Sequence, residues 1–330
     1  MSNTQINDPA YYIKGILSSD ISILSRAITL VESTKEEHQQ LASQIIDGVI
    51  EKTGHSFRLG ITGVPGVGKS TFIESFGLQM AERKNKVAIL AIDPSSTKSK
   101  GSILGDKTRM EKLSVHPNVY IRPSPSSGTL GGVAQKTFET ILLCEAAGYN
   151  FIIVETVGVG QSEITISGMT DFFLLLMLAG AGDELQGIKR GIMEMADAVM
   201  ITKADGNNIQ KAKNARNEYA HALHLFPPTE SGWIPKVETC SSLNNEGITT
   251  FIDILEQYKN LVITNGYFEK KRHDQLKDWL HLSIAEKLKN DFYNSPKIKM
   301  ELNKMENSFS NHNINPYKLA AELISKWRSQ

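Results

Sequence analysis

Hydrophobic positions in the first fifty residues recur at the spacing of helices. One predicted helix has an apolar face formed by Ile21, Leu24, Ile28 and Val31. A second has apolar residues at Leu41, Ile45 and Val49. Thr34 and Glu37 precede the second face with the spacing of a capping box. Residues 1–54 are therefore predicted to form a helical extension.

From about Phe57 the pattern changes to short apolar runs that alternate with helical stretches. Short apolar strands separated by helices are typical of a parallel sheet covered on both faces. The predicted strands are 57–63, 86–92, 119–123, 150–156, 171–178, 198–203 and 236–240. The predicted helices are 70–84, 131–147, 184–195, 208–225 and 247–262. The predicted fold class is α/β, with a mostly parallel sheet flanked by helices over residues 55–264.

Beyond Gly266 the strand pattern stops and a helical pattern returns. Apolar residues recur at every fourth position, at Leu276, Leu280, Ile284 and Leu288. One face of the predicted helix is therefore apolar. That face either covers the core or contacts a partner, and the pattern favours neither alternative. Residues 265–330 are predicted to form a C-terminal helical arm.

Composition narrows the class of protein. The 330 residues are 40% hydrophobic and 22% charged, which is typical of a soluble globular protein. The 36 basic and 36 acidic residues cancel, so no nucleic-acid or membrane partner is expected. The longest apolar stretch, residues 172–182, is too short to span a bilayer, and the N-terminus lacks a signal or transit pattern. The two cysteines, Cys144 and Cys240, have neither metal-site nor disulfide spacing. A cytoplasmic location is expected.

The segment that follows the first predicted strand matches G-x-x-x-x-G-K-[ST], the phosphate-binding loop or P-loop. Its glycines allow successive N–H groups to turn toward a phosphate, and the next helix adds positive charge at its N-terminus. Lys69 would reach the β- and γ-phosphates, and the Ser70 hydroxyl would ligate Mg²⁺. The strand before and the helix after make the match specific. The predicted nucleotide-binding residues here are Gly63, Val64, Pro65, Gly66, Val67, Gly68, Lys69, Ser70 and Thr71.

Carboxylates end two predicted strands, at the edge where open α/β sheets bind ligands. Asp93 follows strand 86–92; alone it would suggest a turn, but beside a P-loop it is placed to contact Mg²⁺ or orient a water. Glu155 ends strand 150–156 in the position of the GTPase D-x-x-G element, where the carboxylate holds Mg²⁺ through water. The Gly158 amide would sense the γ-phosphate. Because a carboxylate is costly to bury without a cation or donors, a functional role is favoured for Glu155.

The segment Thr202-Lys203-Ala204-Asp205 differs by one residue from N-K-x-D, the guanine-recognition element. Asp205 would accept hydrogen bonds from guanine N1 and N2, which adenine cannot supply, while the Lys203 stem lies along the base. Thr202 in place of Asn keeps one tethering bond and loses a second, which predicts a weaker guanine preference. Ser241 and Ser242 follow the last predicted strand, where a backbone N–H usually contacts guanine O6.

Seven segments between about Gly60 and Gly206 together resemble the MeaB/ArgK family of GTPases, the chaperones of adenosylcobalamin-dependent methylmalonyl-CoA mutase. They are GVPGVGKST, AIDPSS, GSILGDKTRM, SPSSGTLGG, VETVGVGQSE, GAGDELQGIKRGI and TKADG. The human counterpart of that family is the mitochondrial protein of cobalamin type A disease. The resemblance implies a P-loop G domain of the signal-recognition/MinD-like class over 55–264. It also implies an N-terminal helical extension over 1–54 and a homodimerising helical arm over 265–330.

The resemblance also implies roles for individual residues. It places Ser70, Asp93, Asp106 and Glu155 at the Mg²⁺ site, with the carboxylates also positioning water. Residues 182–189 correspond to a mobile segment that responds to the partner, in which Lys189 is a candidate for transition-state charge stabilisation. The implied catalytic set is Lys69, Asp93, Asp106, Glu155 and Lys189. Ala179-Gly180 replaces the Pro-Gly common in the family, a change expected to affect loop stiffness more than chemistry.

The expected function is Mg²⁺-dependent hydrolysis of GTP, faster when the mutase is engaged, that gates cofactor loading or protects and reactivates the mutase. No D-x-H-x-x-G corrin-binding run is present, so cobalamin is expected on the partner. Three alternatives stay open: an ATP-dependent kinase linked to lysine, arginine and ornithine transport, a metallochaperone GTPase, and a non-hydrolysing nucleotide-binding scaffold. The sequence leaves the client mutase open among those for methylmalonyl-CoA, isobutyryl-CoA and related substrates.

Overall fold

The computed structural model describes residues 7–93, 110–125, 130–156, 162–180, 190–306 and 315–329. The chain divides into two compact units, residues 1–275 and 276–330. The strands are β1 Phe57–Gly63, β2 Val87–Asp93, β3 Val119–Pro125, β4 Phe151–Thr156, β5 Phe172–Leu178, β6 Ala198–Thr202 and β7 Lys236–Thr239.

The helices before and within the sheet region are α1 Pro9–Leu17, α2 Ile21–Glu32, α3 Glu36–Val49, α4 Lys69–Glu82, α5 Glu111–Ser114, α6 Leu130–Ala146, α7 Ser162–Ser167, α8 Arg190–Met195, α9 Ile209–Leu223 and α10 Ile248–Thr264. The later helices are α11 Tyr267–Asn294, α12 Pro296–Glu306 and α13 Pro316–Arg328. Short 3₁₀ turns occur at Ile50–Lys52 and Gly206–Asn208.

The described strands form one parallel sheet in the order β3-β2-β4-β1-β5-β6-β7. The predicted α/β fold is therefore confirmed, and each predicted strand overlaps an observed one. β1 and β4 are buried along their whole length, which explains why their sequences are apolar without alternation. Residues 184–189 of the predicted helix 184–195 lie outside the described ranges, and residues 190–195 form α8.

Helices cover both faces of the sheet. On one face, aromatic side chains of α4 and α10 pack together against β5, with ring centroids 5.2 Å apart for Phe76 and Phe251 and 6.0 Å apart for Phe172 and Phe251. On the other face, Tyr219 and neighbours on α9 pack against β6. The helices therefore cover the two faces of the sheet, and the loops that follow the strands lie at its carboxyl edge.

The N-terminal extension is helical, as predicted, and Leu24, Ile28 and Val31 are buried. The predicted capping box is wrong: α3 begins at Glu36 after Lys35, with no side-chain cap. Thr34 lies too early because the chain stays extended through Lys35. Ser33 takes a related role, since its hydroxyl accepts the Lys35 N–H at 3.2 Å and lies 2.9 Å from His38 Nδ1.

The apolar face predicted beyond Gly266 lies on α11. Its four residues are between 48% and 60% exposed, namely Leu276, Leu280, Ile284 and Leu288. None of the helices within the described ranges has the length and apolar character needed to cross a bilayer.

Candidate nucleotide-binding site

The ends of three strands that carry predicted site residues lie side by side at the carboxyl edge of the sheet. In the strand registers, Glu155 of β4 pairs with Ile61 of β1 on one side and with Ala91 of β2 on the other. Thr156 of β4 and Thr62 of β1 also link their two strands, because their hydroxyl oxygens lie 2.8 Å apart. The loops after β1, β2 and β4 therefore start side by side.

The P-loop lies between β1 and α4. Gly66 and Gly68 have φ of +78° and +99°, a region that favours glycine. A Cβ on Gly63 would lie 2.5 Å from the Leu176 carbonyl oxygen, so this position also excludes a side chain. Val67 is fully buried and anchors the loop in the core. The backbone has the conformation that the glycine pattern predicts.

Lys69 is held by the loop that it follows. Its ammonium group donates to the carbonyl oxygens of Gly63 at 2.7 Å and Val64 at 3.3 Å. Burial lowers the pKa of Lys69, while the negative charges of Glu155 and Glu163 raise it. The lysine head is thus poised beside the loop, with its charge facing acidic groups.

The acidic residues are described to different extents. Glu155 is the buried penultimate residue of β4, and Asp93 is the last residue of β2. Ser70 is the second residue of α4. Asp106, Gly158 and Lys189 lie outside the described residues, as does the side chain of Asp93. Glu163 on α7 is also buried; it belongs to the VETVGVGQSE segment but is not among the predicted site residues.

A magnesium ion has suitable ligands at this edge. Mg²⁺ prefers oxygen, and it is usually held by one or two carboxylates and by substrate phosphates instead of by a full protein cage. Ser70 and Glu155 supply a hydroxyl and a carboxylate beside the P-loop. Within the described part of the chain no group of three His, Cys, Asp or Glu side chains is assembled.

The segment predicted to recognise guanine is tied directly to the P-loop. Thr202, the last residue of β6, donates its hydroxyl to the Val67 carbonyl oxygen at 2.7 Å and also lies 3.2 Å from the Met177 carbonyl oxygen. Lys203 has φ of +56°, and its ammonium group donates to the Gly66 carbonyl oxygen at 2.8 Å. The tether predicted for Thr202 is therefore present.

The segment after β7 holds Asp205. The Ser241 hydroxyl donates to Asp205 Oδ2 at 2.6 Å, and Ser241 is fully buried. The Ser241 amide donates to the Glu246 carbonyl oxygen at 3.0 Å, so this donor is used within its own turn. Ser242 follows and is half-buried. Asp205 is therefore held in place by a neighbouring hydroxyl.

A parallel sheet with this loop at the end of β1 and these strand-end residues defines a P-loop nucleotide-binding protein. The family model for the methylmalonyl Co-A mutase-associated GTPase MeaB matches residues 24–297. The chain belongs to that family and is a GTPase.

Relatives support the assignment along nearly the whole chain. A protein of Mycobacterium tuberculosis named "Probable GTPase" is 44% identical, over 94% of this chain and 92% of its own. The mouse protein "Methylmalonic aciduria type A homolog, mitochondrial" is 43% identical, over 96% of this chain and 79% of its own. A solved structure, the crystal structure of "LAO/AO transport system kinase", matches with a TM-score of 0.75 and 34% identity, covering 100% of this chain and 99% of that one.

Proposed function

We propose that this GTPase hydrolyses GTP to GDP and phosphate with Mg²⁺ and that the nucleotide state controls an adenosylcobalamin-dependent acyl-CoA mutase, in the first place methylmalonyl-CoA mutase. The observation that carries the nucleotide part is the contact of Thr202 and Lys203 with the P-loop carbonyl oxygens. These contacts fix the spacing between the base-recognition element and the phosphate-binding loop.

In this proposal Asp205 accepts hydrogen bonds from guanine N1 and N2. The Ser241 hydroxyl supports this role, because it orients the carboxylate from the side. A recognition site whose acceptor is left unpaired by adenine discriminates by about 10⁴-fold. The nucleotide-binding residues are those of the P-loop together with Gly158, Thr202, Lys203, Asp205, Ser241 and Ser242.

Lys69 provides the positive charge for the phosphates. It exchanges its bonds to the Gly63 and Val64 carbonyl oxygens for β- and γ-phosphate oxygens, which are stronger charged acceptors. Ser70, Asp93, Asp106 and Glu155 would hold Mg²⁺, and the carboxylates would also position the attacking water. A bound Mg²⁺ supplies neutralisation of charge on the β- and γ-phosphates. Lys189 stabilises charge in the transition state when the partner is engaged.

The mutase link is supported by the names in the family and among the relatives, "Methylmalonyl Co-A mutase-associated GTPase" and "Methylmalonic aciduria type A homolog". Loss of γ-phosphate contacts at Asp93, Asp106 and Gly158 would release the loops that hold them, and that change gates cofactor loading or reactivates the mutase. Cobalamin is held by the partner and not by this chain.

We further propose that residues 1–54 are an extension, 55–264 the G domain and 265–330 a dimerisation arm. The exposed apolar face of α11 supports the last assignment, since Leu276, Leu280, Ile284 and Leu288 recur at helical spacing. A second copy of the chain would cover this face. Sedimentation should give a dimer for the wild type and a monomer when Leu280 and Ile284 are both replaced by Gln; a wild-type monomer contradicts the assignment.

The test of the function is GTP turnover with and without purified methylmalonyl-CoA mutase. The wild type should hydrolyse GTP slowly alone and at least about 10³-fold faster with its partner. Lys69→Ala should abolish turnover in both conditions. Asp205→Asn should lose the preference for GTP over ITP and XTP. No stimulation by the mutase would refute the partner, and an unchanged preference in Asp205→Asn would refute the base contact.

The name of the solved structure, "LAO/AO transport system kinase", favours one alternative: an ATP-dependent kinase linked to amino-acid transport. It predicts that ATP binds as well as GTP and that phosphate moves to a protein acceptor. Calorimetry with both nucleotides separates the two functions. Equal affinities would favour the kinase, whereas a strong preference for GTP would favour the guanine contacts of Asp205.

A further inference from the structure

Glu163 is a buried carboxylate that the proposed mechanism does not yet use. It is the second residue of α7 and is 2% exposed. Its Oε2 has no hydrogen-bond partner among the described residues. An unpaired charged oxygen at this depth is costly, because burial removes the water that would otherwise solvate it. A bound ligand could supply the hydrogen-bond donor or cation that this oxygen lacks.

The course of the chain places Glu163 at the nucleotide edge of the sheet. The segment from β4 to β5 leaves the carboxyl edge at Thr156 and reaches the opposite edge at Asp171, whose amide donates to the Arg58 carbonyl oxygen at 2.8 Å. Helix α7 lies between these two points along the chain. Its first turn, which contains Glu163, is therefore nearer to the P-loop than its last turn.

Packing against β1 gives the same position. A Cβ on Gly60 would lie 3.2 Å from Ile166 Cγ2, so α7 crosses β1 closely at this glycine. Glu163 precedes Ile166 by three residues and shares its helix face. It therefore lies beyond Gly60 along β1, toward Thr62, Gly63 and the P-loop.

Two carboxylates act electrostatically on the lysine of the P-loop. Lys69 faces the negative charges of both Glu155 and Glu163. Its ammonium group is already bonded to carbonyl oxygens of the P-loop. Phosphates would add further negative charge and would draw the Lys69 ammonium group to themselves. A buried carboxylate beside a triphosphate is costly, and a cation such as Mg²⁺ would offset that cost.

We propose that Glu163 is a positioning residue for the Mg²⁺ of the nucleotide site, with its free Oε2 serving as a charged acceptor for the hydrogen-bonding groups around the ion. Mg²⁺ gives up its waters reluctantly, and carboxylates that hydrogen-bond to metal ligands set the position of the ion. This inference rests on the proposed Mg²⁺-dependent GTP site. It adds an acidic residue to that proposed site.

The test is calorimetric binding of a non-hydrolysable GTP analogue to Glu163→Gln across a range of Mg²⁺ concentrations and in EDTA. Glutamine keeps the size of the side chain and removes its charge. The Mg²⁺ concentration that gives half of the maximal gain in analogue affinity should be about 10-fold to 100-fold higher for Glu163→Gln than for the wild type. Affinity in EDTA should not fall, since a negative charge near the phosphates is gone. A merely structural role would weaken binding equally with and without Mg²⁺, and that result would overturn the inference.

Glu139→Gln is the matched control. Glu139 is a half-buried carboxylate on α6 that accepts a hydrogen bond from Gln135 of its own helix at 2.8 Å. Analogue binding by Glu139→Gln should depend on Mg²⁺ in the same way as binding by the wild type. If Glu163→Gln fails to fold, Glu163→Asp is measured in the same way, and a wild-type Mg²⁺ dependence in it would overturn the inference. A wild type that binds the analogue without any Mg²⁺ dependence would instead contradict the proposed function.

Discussion

Loss of one charge from a buried ionic cluster at the amino edge of the sheet is predicted to destabilise the first unit. Asp171 accepts hydrogen bonds from Arg272 Nε at 2.6 Å and from the Arg58 backbone N–H at 2.7 Å. Glu145 accepts from Arg58 Nε at 2.9 Å and from the Ser56 hydroxyl at 2.5 Å. The side chains of Asp171 and Arg272 are 2% and 12% exposed. The cluster joins α6, α11, β1 and the start of β5.

The perturbation is Asp171→Asn, which removes the charge and keeps the shape. The amide retains one acceptor oxygen and places an NH₂ group against donors of Arg58 and Arg272. Breaking a buried ion pair by removing one partner costs about 3 to 5 kcal/mol, because the remaining charge is uncompensated. At about 2 °C for each kcal/mol in a chain of this size, the melting temperature should fall by about 6 to 10 °C.

The assay is urea and thermal unfolding of the wild type, Asp171→Asn, Arg272→Gln and the double variant. The double variant should lose less free energy of unfolding than the sum of the single variants, because the two residues share one interaction. Nucleotide affinity should stay unchanged, since the cluster lies at the edge opposite the P-loop.

Glu230→Gln is the matched control, because Glu230 pairs at 2.7 Å with Lys270, which lies on the same helix as Arg272, and both side chains are exposed. It should leave the unfolding midpoint unchanged. An Asp171→Asn protein whose midpoint matches that of the control, or additive losses in the double variant, would refute the reasoning.

Three further predictions concern other parts of the chain. Burial raises the pKa of Cys240 to about 12, so neither buried cysteine should react with a thiol reagent until the protein is unfolded; fast labelling of the native protein would contradict this. Thr202→Val should lower the free energy of unfolding by about 1 to 3 kcal/mol and weaken GTP binding, because buried carbonyl oxygens lose a donor; calorimetry and urea unfolding measure both effects. Gly247→Ala should destabilise more than Gly266→Ala in urea, although both glycines have φ of +76°. The Gly266 change carries only backbone strain of about 1 to 2 kcal/mol. A Cβ on Gly247 would in addition lie 2.3 Å from a carbonyl oxygen. Equal losses of unfolding free energy in the two variants would contradict this prediction.

Local pattern predicted the strands well because a parallel strand buried on both faces has an apolar sequence wherever it lies in the sheet. The capping box failed for the opposite reason. Thr34 and Glu37 have the right spacing, but the position of the first helical turn depends on how α2 and α3 pack, and the helix begins at Glu36. Spacing thus identified the helix and not its first residue.

The candidate site divides in the same way. The P-loop could be predicted because glycine positions set its backbone conformation locally, and Gly66 and Gly68 have the expected positive φ. The burial of Glu163 could not be predicted, since its short helix is polar at that position and nothing nearby in sequence marks it as buried. Its surroundings come from strand β1, which lies far from it along the chain.

The sequence by itself determined the order of strands and helices and the chemistry of the loop at Lys69, because each depends on backbone geometry over a few residues. Only the tertiary structure decided which distant groups meet. Thr202 contacts a carbonyl oxygen 135 residues away, and Arg272 contacts Asp171 101 residues away. Such contacts follow from the order of strands in the sheet, which depends on packing summed over the whole chain and not on any single segment.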